Sequence, residues 1–387
     1  MKKIGDVFTL IRNGASIKQK KGAKGLPITR IETIANKVID REKMGYADIF
    51  EKDKYVDYIL KNEDILMSHI NSEKHLGKVA IYNKVKDEDI IHGMNLLLLR
   101  TNNNILLPRY AKYYFDTIYF SNQIATITKK SVNQASFTVT ALKNLNIPCP
   151  SIDKQKKIAN ILDKVTNLIE LRKKQLEKLD IFSKALFVEM FGDPVENPMN
   201  WKKEKLISRC NIITGNTPSR KIKEYYGSYI EWIKSDNITK EFTTITTAKE
   251  YLSEEGFKVG RSIKKDNILM TCIAGSLKCI GNVAITDREV CFNQQINGIE
   301  ILNDNYLFMY IQFILSQKYI QSSINMSLKG ILSKSKLSEL QFIFPPIELQ
   351  NQFAKKVEHI DKIKLSIQDS LTKLETLKKS LMQEYFS

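Results

Sequence analysis

Lys61-Asn62-Glu63-Asp64-Ile65-Leu66-Met67-Ser68 returns in the second half of the chain as Lys264-Lys265-Asp266-Asn267-Ile268-Leu269-Met270-Thr271. Around this phrase, Gly77-Lys78-Val79-Ala80-Ile81 answers Gly281-Asn282-Val283-Ala284-Ile285, and Leu142 through Pro150 to Gln155 answers Leu337 through Pro345 to Gln350. Order and approximate spacing are kept, so one module is written twice. The 387 residues exceed the usual size of one core and suit two domains plus connectors. Such a chain is built to touch two equivalent things at a fixed separation.

Composition narrows what those things are. Sixty Lys and Arg against 43 Asp and Glu leave a net charge of +17, an excess that attracts polyanions and makes nucleic acid the first partner to consider. With 43% hydrophobic residues each half has apolar material for a core, which argues against general disorder. Met1-Lys2-Lys3-Ile4-Gly5-Asp6 lacks the apolar stretch of a signal peptide, and Leu96 to Leu99 is too short to span a bilayer, so the expectation is a soluble cytoplasmic protein. The five cysteines (Cys149, Cys210, Cys272, Cys279, Cys291) include no CxxC pair and read as free thiols.

Each half opens with a basic, glycine-containing loop. Asn13-Gly14-Ala15-Ser16-Ile17-Lys18 leads into Lys20, Lys21 and Lys24; Thr214-Gly215-Asn216-Thr217-Pro218-Ser219-Arg220 leads into Lys221 and Lys223. Short strands are expected at 65–70 with 79–82, and at 268–273 with 283–285. Tyr110, Tyr114 and Ile118 line up with Tyr306, Tyr310 and Ile314 at i, i+4, i+8 spacing and predict one buried helix face in each half. Prolines at 148 and 150, and at 345 and 346, then stop the preceding element before a long helix. Ile158, Leu162, Val165, Ile169, Arg172, Leu176, Leu179, Ser183, Leu186 and Met190 follow steps of four and three. Phe353, Val357, Ile360, Lys364, Ile367, Leu371, Leu374, Lys378, Leu381 and Tyr385 repeat that period, which favours a coiled-coil seam. Connectivity makes the pair antiparallel. About 37 residues at about 1.5 Å rise give a rod on the order of 55 Å, comparable to one and a half turns of B-DNA at about 34 Å per turn.

The duplicated modules, the heptad helix after each, the Pro-x-x-x-x-Gln segments (Pro150 to Gln155, Pro345 to Gln350) and Leu186-Phe187-Val188-Glu189-Met190-Phe191-Gly192-Asp193-Pro194 resemble the DNA-specificity subunit of type I restriction-modification systems over essentially the whole chain. The resemblance implies an α+β fold of mixed helix and sheet. Two similar globular target-recognition domains would be separated by a long antiparallel two-helix coiled coil, a pseudo-two-fold internal repeat. The expected bounds are 1–150 and 195–346 for the recognition domains, and 151–194 and 347–387 for the central and C-terminal helices. It further implies no chemistry in this chain. Each domain reads one half of a split, asymmetric site on double-stranded DNA, and the helices dock modification subunits, expected as two, that use S-adenosylmethionine to methylate adenine. Restriction subunits that translocate and cleave DNA can then join.

The residues agree with a non-catalytic role. An adenine methyltransferase needs a glycine-rich cofactor loop and an Asn/Asp-Pro-Pro-aromatic segment; Asn197-Pro198-Met199-Asn200 lacks the second proline and the aromatic. His69, His75, His92 and His359 have no metal-ligand spacing. The alternative, a stand-alone nuclease or methyltransferase, rests on Glu63-Asp64 with Glu73-Lys74, and the second copy of that phrase carries Asp266-Asn267 instead.

Binding should divide into phosphate contacts by Lys and Arg and base reading by amides, hydroxyls and Arg. The phosphate candidates are Lys18, Lys20, Lys21, Lys24, Lys129 and Lys130 in the first half, and Arg220, Lys221, Lys223 and Lys329 in the second. The base-reading candidates are Ser131, Asn133, Gln134 and Arg30, with Thr217, Ser219, Lys234, Ser235 and Ser327. The segment 131–136 occupies the same repeat position as 327–331 and differs from it, as unlike half-sites would require.

Overall fold

The computed structural model describes residues 1–131, 134–239, 243–324 and 330–387. The chain forms two compact units. The first holds Met1–Arg172 and Ser370–Ser387, the second Lys173–Asp369.

In the first unit the repeated phrase is a turn that launches a strand. Glu63 takes a left-handed backbone (φ 69°) and its N–H reaches Tyr82 O at 2.8 Å. The chain then enters the central sheet of β1 (Phe8–Asn13), β2 (Ile65–Ser68), β3 (Val79–Ile81) and β4 (Leu96–Thr101). The strand order is β1-β4-β2-β3, every pairing antiparallel. Both faces of β2 and β4 are buried, so their sequences run as continuous apolar stretches rather than alternating. The sheet packs on α1 (Pro108–Phe115) and α2 (Ile118–Ile127).

The second unit repeats this register. Asp266 has φ 61° and its N–H donates to Thr286 O at 2.7 Å. The strands β5 (Cys210–Thr214), β6 (Ile268–Thr271), β7 (Val283–Ile285) and β8 (Ile296–Ile301) run in the order β5-β8-β6-β7. Met67 faces Leu97 and Val79 in one sheet, and Met270 faces Asn297 and Val283 in the other. The duplicated letters are thus duplicated hydrogen-bond partners. The helix α4 (Tyr306–Leu315) takes the place of α1, and α5 (Gln317–Ser322) follows it.

One helical expectation needs correcting. Tyr110 and Tyr114 are buried as anticipated, but Ile118 is 66% exposed. The helix breaks after Phe115, and Thr117 Oγ1 accepts from Phe120 N–H (3.2 Å) to cap a new helix, α2, so Ile118 starts a different face. Nor does Tyr110 match Tyr306. The backbone N–H groups that precede the two helices, Leu107 and Asn305, make the same bond to a glutamine, and that bond sets Tyr110 against Phe308.

The long helices are α3 (Ile152–Phe191) and α6 (Ile347–Phe386), 40 residues each. Every heptad position of α3 recurs 195 residues later in α6, as from 152 to 347. Each unit contains a portion of both. In the second, Phe187 near the end of α3 meets Phe353 near the start of α6, with ring centroids 5.5 Å apart. Two turns from Phe187, Asp180 lies 2.6 Å from Lys364 Nζ, so the helices run antiparallel. In the first unit Ile158 and Leu162 from the start of α3 share a core with Phe386 from the end of α6. Lys364, which interrupts the apolar period, is held by Asp180 and by Asp361 at 3.3 Å. Among the described residues, no helix is long and apolar enough to cross a membrane.

The Pro-x-x-x-x-Gln segments have a mechanical role. Gln155 and Gln350 are fully buried where the long helices begin. Gln155 Oε1 accepts from Leu107 N–H (2.9 Å), while Nε2 donates to Ile105 O and Pro150 O, each at 2.9 Å. Gln350 accepts from Asn305 N–H at 2.9 Å and donates to Asp304 Oδ1 (2.8 Å) and Pro345 O (2.9 Å). An amide is needed because both a donor and an acceptor are used.

Candidate nucleic-acid interface

In each sheet one end collects the candidate loops. Asn13 ends β1 opposite Leu97, Ser68 ends β2, and Leu96 opens β4 opposite it. Three chain segments therefore leave the sheet together: the basic loop after Asn13, the strand Ile70–Asn71 after Ser68, and the residues just before Leu96. Ile70–Asn71 pairs with Ala135–Ser136, which pairs with Lys129–Lys130, so the second basic segment joins the same end. Lys18, Lys20, Lys21, Lys24, Arg30, Lys129, Lys130, Ser131 and Gln134 are all exposed. Lys130 lies 2.9 Å from Glu73, with both side chains largely in solvent, an arrangement worth little energetically and readily exchanged for a phosphate.

The second unit builds the same end. Thr214 ends β5 opposite Asn297, Thr271 ends β6, and Ile296 opens β8 opposite Thr271. Thr217, Ser219, Arg220, Lys221 and Lys223 are exposed on the loop after β5, while Lys234 and Ser235 are half-buried. Arg220 lies over Tyr226 (4.4 Å from its ring centre) and Trp232 (5.0 Å), and Lys234 covers Trp232 at 5.0 Å. Glu250 takes both cations and is held below the usual carboxylate range, chiefly by the Lys234 hydrogen bond; burial opposes this, and the Arg220 hydrogen bond adds to the lowering. These cations are therefore pre-oriented rather than free, and aromatic stacking limits how far each can swing.

Arg30 and Lys234 prove to be counterparts, although in the register that aligns them only Ile34 and Ile238 of the next four residues are identical. Arg30 N–H donates to Thr33 Oγ1 (2.9 Å) and Lys234 N–H to Asn237 Oδ1 (3.0 Å), each at the start of a short 3-10 turn. Each also follows a segment in parallel register, Ile28 with Ile91 and Trp232 with Cys291. Asn133, Ser327 and Lys329 lie outside the described residues. The flanks of their segments are equivalent: Phe137 N–H bonds His69 O (3.2 Å) and Leu332 N–H bonds Cys272 O (2.9 Å).

Residues absent from the sequence-based set also sit at this end. In the second unit Thr217 hydrogen-bonds Gln294, and Ser235 Oγ lies 3.2 Å from Gln295 Oε1. In the first unit the matching positions, just before β4, are Met94 and Asn95, both exposed. The only signal in the sequence is their place immediately before a repeated strand.

No reaction centre forms around the acidic phrase. Asp64 is buried under a two-bond pair with Arg100, Nε to Oδ1 and Nη2 to Oδ2, both 2.7 Å, and it also accepts from Lys61 N–H. Its counterpart Asn267 accepts from Ile301 N–H at 2.9 Å. Both side chains tie a turn to a strand. Burial holds His69 and His92 down to about 4, leaving them neutral, and His92 Nε2 sits 2.9 Å from Leu96 O. Among the described residues, no group of three His, Cys, Asp or Glu stands close enough to hold a metal.

Comparison with known proteins places these observations. The family described as "Type I restriction modification DNA specificity domain" matches residues 1–180 and 198–378. The chain is 32% identical to a putative type I restriction enzyme MjaX specificity subunit of Methanocaldococcus jannaschii, over 99% of this chain and 91% of that protein. It is 23% identical to the type I restriction enzyme HindI specificity subunit of Haemophilus influenzae, over 78% of this chain and 81% of that one. Its fold is similar to the crystal structure of a type I restriction-modification S subunit from M. genitalium, with a TM-score of 0.61 at 15% identity, covering 100% of this chain and 95% of that one.

Proposed function

Since the chain belongs to the type I restriction-modification DNA specificity family, whose members are non-catalytic DNA-recognition subunits, we propose that its two units read the two halves of a split, asymmetric site on double-stranded DNA. The observation that carries this reading is the matching sheet end in each unit, where basic loops and polar side chains converge on one frame with different letters. The recognition domains of this reading span 1–150 and 195–346, and the helical segments 151–194 and 347–387 dock two adenine-methylating modification subunits. Those partners hold S-adenosylmethionine; restriction subunits can join the same assembly. Phosphates are met by Lys18, Lys20, Lys21, Lys24, Lys129, Lys130, Arg220, Lys221, Lys223 and Lys329. Base edges are met by Arg30, Ser131, Asn133, Gln134, Thr217, Ser219, Lys234, Ser235 and Ser327.

The test exchanges residues 1–150 for the corresponding part of another family member and maps methylated adenines across a genome that expresses the partners. One half-site should change and the other should stay. A change in both, or methylation that is indifferent to this chain, would refute the reading.

A further inference from the structure

The two sheet ends share one piece of backbone geometry that fixes where a reading side chain stands. In the first unit Ala15 N–H donates to His92 O (2.8 Å), and in the second Asn216 N–H donates to Phe292 O (3.1 Å). The glycine before each donor is required by that approach. A Cβ on Gly14 would come 2.2 Å from Gly93 O, and one on Gly215 would come 2.2 Å from Asn293 O. On its far side each loop is fixed by the sheet, where Leu96 pairs with Ser68 and Ile296 with Thr271. Counting back from those pairs, Met94 corresponds to Gln294 and Asn95 to Gln295. Backbone held from both sides, identical in the two units, presents two residues whose chemistry differs.

Their surroundings suit recognition better than packing. Gln294 and Met94 are exposed, Met94 by 50%, so neither is needed to fill a core. Gln294 is hydrogen-bonded to Thr217, and Gln295 Oε1 lies within 3.2 Å of both Ser235 Oγ and Asn293 Nδ2. Each amide is thus oriented before any ligand arrives, which lowers the entropy lost on binding. A glutamine amide can pair with both the acceptor and the donor on the major-groove edge of adenine; a methionine can only offer apolar contact, as to a thymine methyl; asparagine is a shorter amide.

We infer that residues 294–295 and 94–95 are specificity-determining positions, each pair reading adjacent bases in the half-site of its own unit, with the Gly215 and Gly14 approaches as the common frame. This rests on the proposed reading of two half-sites and deepens it by naming which side chains discriminate.

The experiment exchanges the letters without touching the frame. The double variant Gln294→Met with Gln295→Asn, and the reciprocal Met94→Gln with Asn95→Gln, are assembled with the modification partners. Each is selected against a duplex library randomised across both half-sites. The first should alter preference at one or two adjacent positions in a single half-site by about tenfold, and the second should do so in the other half-site alone. Binding of each variant to its own best sequence should keep the native salt dependence, since no phosphate contact is removed. Unchanged preferences in both variants, with the native chain selective, would overturn the inference and leave the two-half-site reading standing. An equal loss on all sequences would overturn it too. A native chain without selectivity would instead sink the underlying reading. Should a double variant melt early, Gln294→Ala, which trims one exposed side chain, carries the same comparison.

Discussion

Gln350 illustrates how much can hang on one side chain. It is fully buried, and its amide engages Asn305 N–H, Asp304 and Pro345 O. Gln350→Ala leaves buried polar groups without partners and should cost about 2–4 kcal/mol in urea unfolding. Gln352→Ala, two residues on and exposed, should stay within about 0.5 kcal/mol in the same measurement. His69 and His92 set a second expectation. Both are held at about 4, below the ordinary histidine value near 6.5, so the unfolded chain binds more protons between those limits. Their contribution to stability is whole above pH 6.5 and is lost as pH falls toward 4. The urea midpoint should therefore drop over that window, and His92→Gln should flatten the drop even where it lowers stability overall. The buried thiols of Cys210, Cys272 and Cys291 are pushed up to about 12 by burial, which makes them poor nucleophiles at neutral pH.

The elements reveal what a sequence can disclose and what it hides. The turn-and-strand phrase is readable because its letters answer local demands: a left-handed residue at Glu63 or Asp266, a buried hydrogen-bonding side chain at Asp64 or Asn267, then four buried positions. The long helices are readable through their period alone. The tyrosine match misleads because regular spacing says nothing of where a helix breaks, and the break at Thr117 depends on a cap. Arg30 and Lys234 are each visible as polar candidates, but their equivalence depends on hydrogen bonds to Thr33 and Asn237, in stretches that share only Ile34 and Ile238. Positions 94–95 and 294–295 escape notice because they matter through a carbonyl approach from a loop about 80 residues distant along the chain, which no local pattern encodes. Packing of the helix ends yields its own prediction. Phe386 lies against Tyr110 (5.2 Å) and Tyr114 (5.8 Å) in the core of the first unit. Phe386→Ala should remove about 3–5 kcal/mol, read as faster amide hydrogen exchange across Pro108–Phe115, because both tryptophans, Trp201 and Trp232, belong to the second unit and would report little.

For the molecule as a whole, the net charge of +17 should act mainly through the backbone of DNA. Lys129→Ala with Lys130→Ala should weaken binding by a similar factor on every sequence and reduce the slope of log affinity against log salt by about 1–2, measured by fluorescence anisotropy from low to physiological salt. An unchanged slope would remove these lysines from the contact surface. Charge supplies adhesion in this scheme, and the few side chains at each sheet end supply choice.

The paired glycine approaches have an implication for how such a protein acquires new targets. Because the main chain at Gly14 and Gly215 is met at closest range by backbone carbonyls, with the Phe292 ring the one side chain near Gly215, the residues it displays can be rewritten without disturbing what displays them. On the proposed reading, vocabulary and grammar are kept in separate atoms, so a handful of codons would redirect the molecule while its architecture is inherited intact.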